Sequence, residues 1–400
     1  MNPSNTSSPS ALDSEDLRAV EDLRKRFAQL PDRRMPGRVV YRIDEVVMVA
    51  FCSVLSDNDA YTDMEAFAKS QLGWLRTFLP LAEGAPSHDV FRNVLMALQP
   101  GALLAVLGDW CGGLGGREIR VDGKALRGSD SPAAGLGMVH VLRAWVDAAG
   151  ISAGHELCSE KSNEFDALPR LLGALELRGA TVTIDAMGCH PDIAAQIHGA
   201  GGDYVLALKA NQKEALGAVS GHFKEIDVAK DAKDAKDAKD AKETVETVEL
   251  SHGRFERRTC TVTGGLGWFH KSWKWEGLRT VVRVVRTTHR VGKRGELARE
   301  AHYYLSSLAP DAAAHSRLIR GHWSVENTCH HTLDVTFGED DCQVRDRTSA
   351  HNLCIIREMA AKVLRDHPSK KSLRAKRKLA ALDPTFRLSL IAMIPNTSHA

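Results

Sequence analysis

From Ser14 to about Pro100 apolar residues recur at spacings of three and four, the period of helices packed on one face. "SEDLRAVEDLRKRFAQL" opens on Ser14, a good N-cap, and "PSHDVFRNVLMAL" opens on Ser87 in the same way. "IDEVVMVAFCSVL" reads as a buried helix and "DMEAFAKSQLGWLRTFL" as another. The pattern predicts a helical domain over 14–105, preceded by disorder over 1–13. Near residue 117 the period changes. "REIRVDGKALRG" predicts a short strand running into a polar turn, and "MVHVLRAWVDAAG" and "ISAGHELCSE" predict a hairpin turning at "DAAG". An amphipathic helix, "EFDALPRLLGALELRG", then ends at Gly179. The strand "ATVTIDAMGC", the helix "HPDIAAQIHGAG" and the strand "DYVLALK" follow. This order predicts an α/β fold with a mixed five-stranded sheet whose first three strands form an antiparallel meander.

An insertion is expected over about 225–305. It begins with "AKDAKDAKDAKDAKE" (229–243), a low-complexity spacer whose period of three builds no stable apolar helix face. Three strand-like segments come next, "TVETVELSHGRFERRTCTV", "LRTVVRVVRTTH" and "EAHYYLSSL". Ala309–Phe337 reads as helix. The last stretch, 361–400, reads as a basic tail carrying "KKSLRAKRK" (370–378).

Composition changes this picture little. A chain of 400 residues, 43% hydrophobic and 26% charged, is globular, and a net charge of +2 does not by itself single out nucleic acid. Eight cysteines without a CxxC pair argue against a zinc finger or a disulfide framework. The polar N-terminus is not a signal peptide, and no run reaches the ~18 apolar residues of a membrane span. These features predict a cytoplasmic protein.

Three acids draw attention. Asp122 stands in "RVDGKALRGS" at the expected end of the first strand; Asp-Gly is also a common turn. Asp185 follows four apolar or β-branched residues, and a carboxylate there is costly unless it is paired or binds a cation. Ligands tend to sit at the carboxyl ends of strands. "IRGHWSVENTCHH" (319–331) holds three histidines, a cysteine and Glu326. On a helix His322, Glu326 and His330 share one face. Taken alone, the stretch suits a polar helix face, a metal site without the HExxH order, or a catalytic acid. If the first and fourth strands are neighbours, Asp122, Asp185 and Glu326 converge. Three carboxylates repel one another unless they hold divalent cations.

"PDRRMPGRVVYRIDEVVMVAF", "VDGKALRGS", "KSNEFDALPRLL", "TIDAMGCH", "YVLALKANQ" and "IRGHWSVENTCHHTLDVTFGEDDCQVR", in this order, resemble the DDE transposases of bacterial insertion sequences, in particular the H-repeat-associated (ISAs-type) group. The resemblance spans nearly the whole chain. It implies an RNase H-like catalytic core over 116–360 with a β-rich insertion. It implies cleavage at insertion-sequence ends and strand transfer into target DNA. Asp122, Asp185 and Glu326 would be the catalytic and metal-binding triad, holding two Mg²⁺ ions for which Mn²⁺ could substitute. Lys124, Arg127, His322, Trp323 and Asn327 would contact DNA or shape the site near it. The partners implied are the element's terminal inverted repeats, target DNA and a second protomer in a synaptic dimer, with no membrane and a place at the nucleoid. In the wider superfamily a tyrosine, an arginine and a lysine surround the glutamate. Ile319, His322 and Leu333 stand there instead, so those phosphate-binding roles are not carried over. Two alternatives share the motifs: a DNA-binding relic or domesticated regulator that does not cut, and a metal-dependent nuclease that does not join.

Overall fold

Ile43–Leu55, apolar on nearly every side in sequence, forms α2, and all of its residues are buried. Its two acids are buried with it and fully engaged. Asp44 pairs with Arg24 at 3.2 Å and Arg42 at 2.9 Å, while Glu45 accepts the Leu81 N–H at 2.7 Å. Around it lie α1 (Ser14–Ala28), α3 (Tyr61–Ser70), α4 (Leu72–Leu75), α5 (His88–Ala97) and α6 (Pro100–Trp110). The computed structural model describes residues 14–35, 37–110, 117–130, 137–158, 164–231, 242–251, 254–269, 273–290 and 296–393. The expected disorder over 1–13 and most of the 229–243 spacer lie outside the described residues. The chain divides into two units: Met1–Gly113 with Ala125–Val139 and His330–Ala400, and Leu114–Lys124 with His140–Cys329.

The second unit is built on one mixed sheet. Its strands are β1 (Glu118–Leu126), β2 (Val139–Val146), β3 (Ile151–Cys158), β4 (Thr181–Ile184), β5 (Asp203–Leu208), β6 (Lys242–Ser251), β7 (Arg254–Thr263), β8 (Thr280–Arg290) and β9 (Glu296–Ser306), in the order β3-β2-β1-β4-β5-β9-β8-β7-β6. β2 and β3 are antiparallel, whereas β1, β4 and β5 run parallel. The first and fourth strands are therefore neighbours. The insertion does not stand apart from the core sheet, because β9 pairs antiparallel with β5 and carries β8, β7 and β6 beyond it. It also holds four strands rather than three. The segment read as one strand forms two, β6 and β7, paired antiparallel from Lys242↔Thr263 to Ser251↔Arg254. α7 (Glu164–Gly173) packs on β3 and α8 (Pro191–Gly199) on β5, while α9 (Lys213–Asp231) lies against β9. α10 (Ala312–His322) crosses β4 to β7, burying Leu318 and Ile319 against Val205, Val262 and Val282.

The helical unit is completed by α11 (His331–Phe337), α12 (Arg347–Asp366), α13 (Leu373–Leu382) and α14 (Pro384–Ala392). α12 packs on α2, α5 and α6, and Asn352 donates to the carbonyls of Leu95 and Leu98 at 2.9 Å. The stretch expected as a basic tail is thus largely helix. Within "KKSLRAKRK" Lys376 and Arg377 are buried, because carbonyls and aspartates receive them. Lys376 donates to the carbonyls of Leu364 and His367 at 2.7 Å, and Arg377 reaches Asp57, Asp59 and the Val54 carbonyl. The seven described cysteines are free thiols. Among the described residues no single helix is long and apolar enough to cross a membrane.

Candidate active site

β1 and β4 pair in parallel from Glu118↔Thr181 to Val121↔Ile184. Asp122 and Asp185 are the next residue of each strand. Neighbouring strands lie roughly 5 Å apart, so the two carboxylates emerge side by side where the pairing stops. Both line one small cleft with Gly123, Leu168, Ile184 and Gly188. Asp122 does not end its strand, as the sequence suggested. β1 continues to Leu126 and it is the shorter β4 that stops, because Asp185 turns the chain by accepting the Met187 N–H at 3.1 Å. Asp122 accepts the N–H of Gly123 at 2.9 Å. Gly188 closes the turn against the sheet, and a Cβ there would meet Leu168 at 2.8 Å and also Ile184.

Side chains alternate along a strand, so Arg120 and Asp122 share one face with Thr183 and Asp185. Two contacts identify that face as the one α10 crosses. A Cβ on Gly321 would lie 2.9 Å from the Arg120 guanidinium carbon, and His322 Nδ1 hydrogen-bonds Thr183 Oγ1 at 3.0 Å. Arg120 is buried and pairs with Asp147 and Glu118, which fixes it under α10. Sequence reading passed over Arg120 and Thr183. The available signal was a charged residue within the otherwise apolar "IRV" of β1.

Burial pushes the His322 imidazole down to about 4. Asp185 opposes this shift, and Arg120 adds to it. The unfolded chain takes up a proton near pH 6.5, but the folded one only near 4. The resulting stabilisation is complete above pH 6.5 and is lost as pH falls through 4. Linkage gives about 3 kcal/mol, reduced to about 1–2 kcal/mol by the solvent contact of a half-buried ring. His322→Gln should therefore flatten the acid limb of metal-free stability by that amount, read from urea midpoints at pH 7.5 and 4.5.

The helix expected over Ala309–Phe337 is interrupted. α10 ends at His322, and after a turn at Trp323 the backbone widens to π-helical bonding over Glu326–His330. Ser324 Oγ donates to the Gly321 carbonyl at 2.7 Å and Thr328 Oγ1 to the Ser324 carbonyl at 2.9 Å. Such side-chain bonds compete with the ladder and distort helices, and π segments recur at functional sites. Glu326 is exposed and lines a different cleft from the aspartates, over β7, β8 and β9, together with Trp323 and Asn327. Among the described residues no three histidine, cysteine or acidic side chains form a group that could hold a metal ion. The structure thus brings Asp122 and Asp185 together and sets Glu326 on the same face but apart. Lys124 is only 8% exposed within β1. Arg127 is open, its side chain 80% exposed with Asp340 at 3.6 Å. A cavity of about 940 Å³ belongs to the helical unit; its Asp57, Asp59, Arg357 and Arg377 pair with one another.

Residues 142–361, more than half the chain, match the family described as "Transposase DDE domain". The chain belongs to the DDE transposases. Residues 24–111 match the family described as "DDE_Tnp_1-associated", so both units carry a match. The chain is similar to "H repeat-associated putative transposase YhhI" of Escherichia coli (strain K12). The identity is 31% over 382 residues, covering 93% of this chain and 98% of that protein. "Putative transposase YncI" of Escherichia coli O157:H7 is 29% identical over 380 residues, covering 94% and 95%. "Uncharacterized protein in dhlA 3'region" of Xanthobacter autotrophicus is 36% identical over 264 residues, covering 64% and 86%. Asp185 and Glu326 of this transposase fall inside the matched DDE segment, whereas Asp122 precedes it.

DDE transposases depend on divalent metal, and the aspartate pair has suitable donors. Both side chains offer oxygen only, as hard divalent cations prefer. Each engages one oxygen with a backbone N–H. His322, near Asp185, is held neutral at ordinary pH.

Proposed function

We propose that this transposase cuts DNA at the ends of its insertion sequence and joins those ends to target DNA. The observation that carries the reading is the pair Asp122 and Asp185, side by side on the face crossed by α10. In this reading the two aspartates and Glu326 are the ligands of two Mg²⁺ ions, on an RNase H-like core formed by β1 to β5. The bound ions supply charge for the scissile phosphate and acidify water. The chain's residues do the rest. Asp122 and Asp185 present oxygens where the strand pairing ends. His322, bonded to Thr183, stays neutral and adds no charge that would repel a cation. Arg127, Trp323 and Asn327 meet the DNA, whereas Lys124, buried within β1, does not reach it. Water replaces the 3′-oxygen at the element end, and the freed 3′-hydroxyl then displaces a 3′-oxygen of the target. Phosphodiester bonds are conserved in joining, so no nucleotide cofactor is consumed. Two ends are held by two protomers, at the nucleoid.

Glu326 must approach the aspartates for this chemistry, and the π-helical bonding around it supports such a shift. The same separation supports the rival reading, a protein that binds without cutting. A labelled element-end duplex with Mg²⁺ decides between them. Wild type should give cleaved and joined products, and Glu326→Ala should lose both by at least about 10²-fold. Cleavage without joining would make the protein a nuclease. Binding without cleavage in Mg²⁺ or Mn²⁺ would favour the rival.

A further inference from the structure

Arg120 is buried on β1, and nothing in the proposed chemistry uses it. A guanidinium inside an apolar strand is costly unless it is paired. Its partners come from three places. Glu118, on its own strand, lies at 3.5 Å. Asp147, in the turn between β2 and β3, pairs with its Nη1, and Ser324 Oγ accepts from the same nitrogen at 3.3 Å. Asp147 is itself held. Its Oδ1 accepts from Trp145 Nε1 at 2.6 Å, and its Oδ2 lies 2.9 Å from Ser324 Oγ. The Ser324 hydroxyl has one proton, which Asp147 and the Gly321 carbonyl at 2.7 Å share.

The places of these residues in the chain give the network its meaning. On β1, Arg120 stands two residues before Asp122 and on the same face. After α10, Ser324 stands two residues before Glu326. The contacts therefore join the strand of one proposed metal ligand to the segment that carries another. Val325 alone lies between Ser324 and Glu326, and it is fully buried. The backbone is thus pinned as far as Glu326, whereas the wider π-helical bonding begins at Glu326 itself.

We infer that Arg120 and Asp147 are positioning residues for Glu326. They act through Ser324, holding the start of the Glu326 segment to β1, so that the acid approaches the aspartates by turning about one fixed point. The inference rests on the reading of Glu326 as a metal ligand and deepens it. Hydrogen-bonded groups that orient a metal ligand commonly contribute roughly 10- to 100-fold in metal affinity or activity.

The test is the Mn²⁺ affinity of the full chain without DNA, read from the electron paramagnetic resonance signal of the free ion. Ser324→Ala and Asp147→Ala should each weaken binding by about tenfold, and Ser324→Thr, which keeps the hydroxyl, by less than about threefold. Glu326→Gln should weaken binding as well. The double variant Ser324→Ala/Glu326→Gln should bind no more weakly than Glu326→Gln alone, because the serine acts only through the acid. Unchanged affinity in Ser324→Ala overturns the inference. Additive losses in the double variant also overturn it, because the contacts would then support the fold and not the acid. Tighter binding in Ser324→Ala overturns it too, since the contacts would then hold Glu326 away. Each of these results leaves Glu326 standing as a metal ligand. Unchanged affinity in Glu326→Gln alone would remove Glu326 from the metal site, and the reading and the inference would fall together.

Discussion

Asp185→Asn should cut strand cleavage by at least about 10³-fold, a barrier increase of roughly 4 kcal/mol, without weakening the fold. The two effects separate because the side chain does two different things. Its Oδ1 accepts the Met187 N–H that turns the chain after β4, and an asparagine carbonyl accepts the same bond. What asparagine lacks is the charge beside Asp122. Two like charges on adjacent strands repel, so without metal the variant should melt at or slightly above the wild-type temperature. The discriminating measurement is the melting temperature with and without millimolar Mg²⁺. Wild type should gain stability with the ion, as any ligand bound only by the folded state requires, and the variant should not. Equal shifts in both proteins would remove Asp185 from the proposed metal site even if activity were lost.

The aspartate pair is legible in the amino-acid sequence alone. Four β-branched or apolar residues ending on one acid mark the end of a buried strand, and the order of elements makes the first and fourth strands candidate neighbours. The register of β1 with β4 then places the acids level. The reach of each strand is less legible. β1 runs past its partner because β4 ends at the turn capped by Asp185, and Asp-Gly in β1 resembles a turn only while its neighbours are unknown. Glu326 is harder still. A straight helix puts it on one line with His322 and His330, but hydroxyls at Ser324 and Thr328 bond to carbonyls and the helix opens to π-type bonding. Period counting assumes an undistorted ladder and cannot register this. Nor does alternation along a strand reveal which strand it will join, so the attachment of β9 to β5 is not readable from the insertion itself.

Arg377→Ala should destabilise the protein by about 3–5 kcal/mol, whereas Lys378→Ala one residue on should stay within about 0.5 kcal/mol. The contrast follows from where a basic run lies once α13 forms. Lys370, Lys371, Arg374 and Lys378 are exposed, but Arg377 is 3% exposed. Its guanidinium donates to the Val54 carbonyl at 2.9 and 3.0 Å, pairs with Asp57 at 2.8 Å and with Asp59, and stacks 4.3 Å from the centre of the Phe337 ring. Truncation strips the Val54 carbonyl of its two guanidinium donors, leaving it backbone N–H bonds such as that from Asp57 at 3.3 Å, and weakens the neutralisation of Asp59, which Arg357 also approaches at 3.4 Å. Charge in sequence is ordinarily charge in solvent, and reading 370–378 as a tail follows that rule. It fails here because carbonyls and aspartates of the helical unit replace the water. Chemical denaturation of the two variants checks the stabilities. DNA binding at varied salt then separates the roles: Lys378→Ala should reduce the salt slope by about one if α13 meets phosphate, at unchanged stability. A loss near 3 kcal/mol in both variants would mean that α13 packs through its exposed face as well. A loss in neither would mean that Arg377 is held in solvent and that the segment is a tail after all.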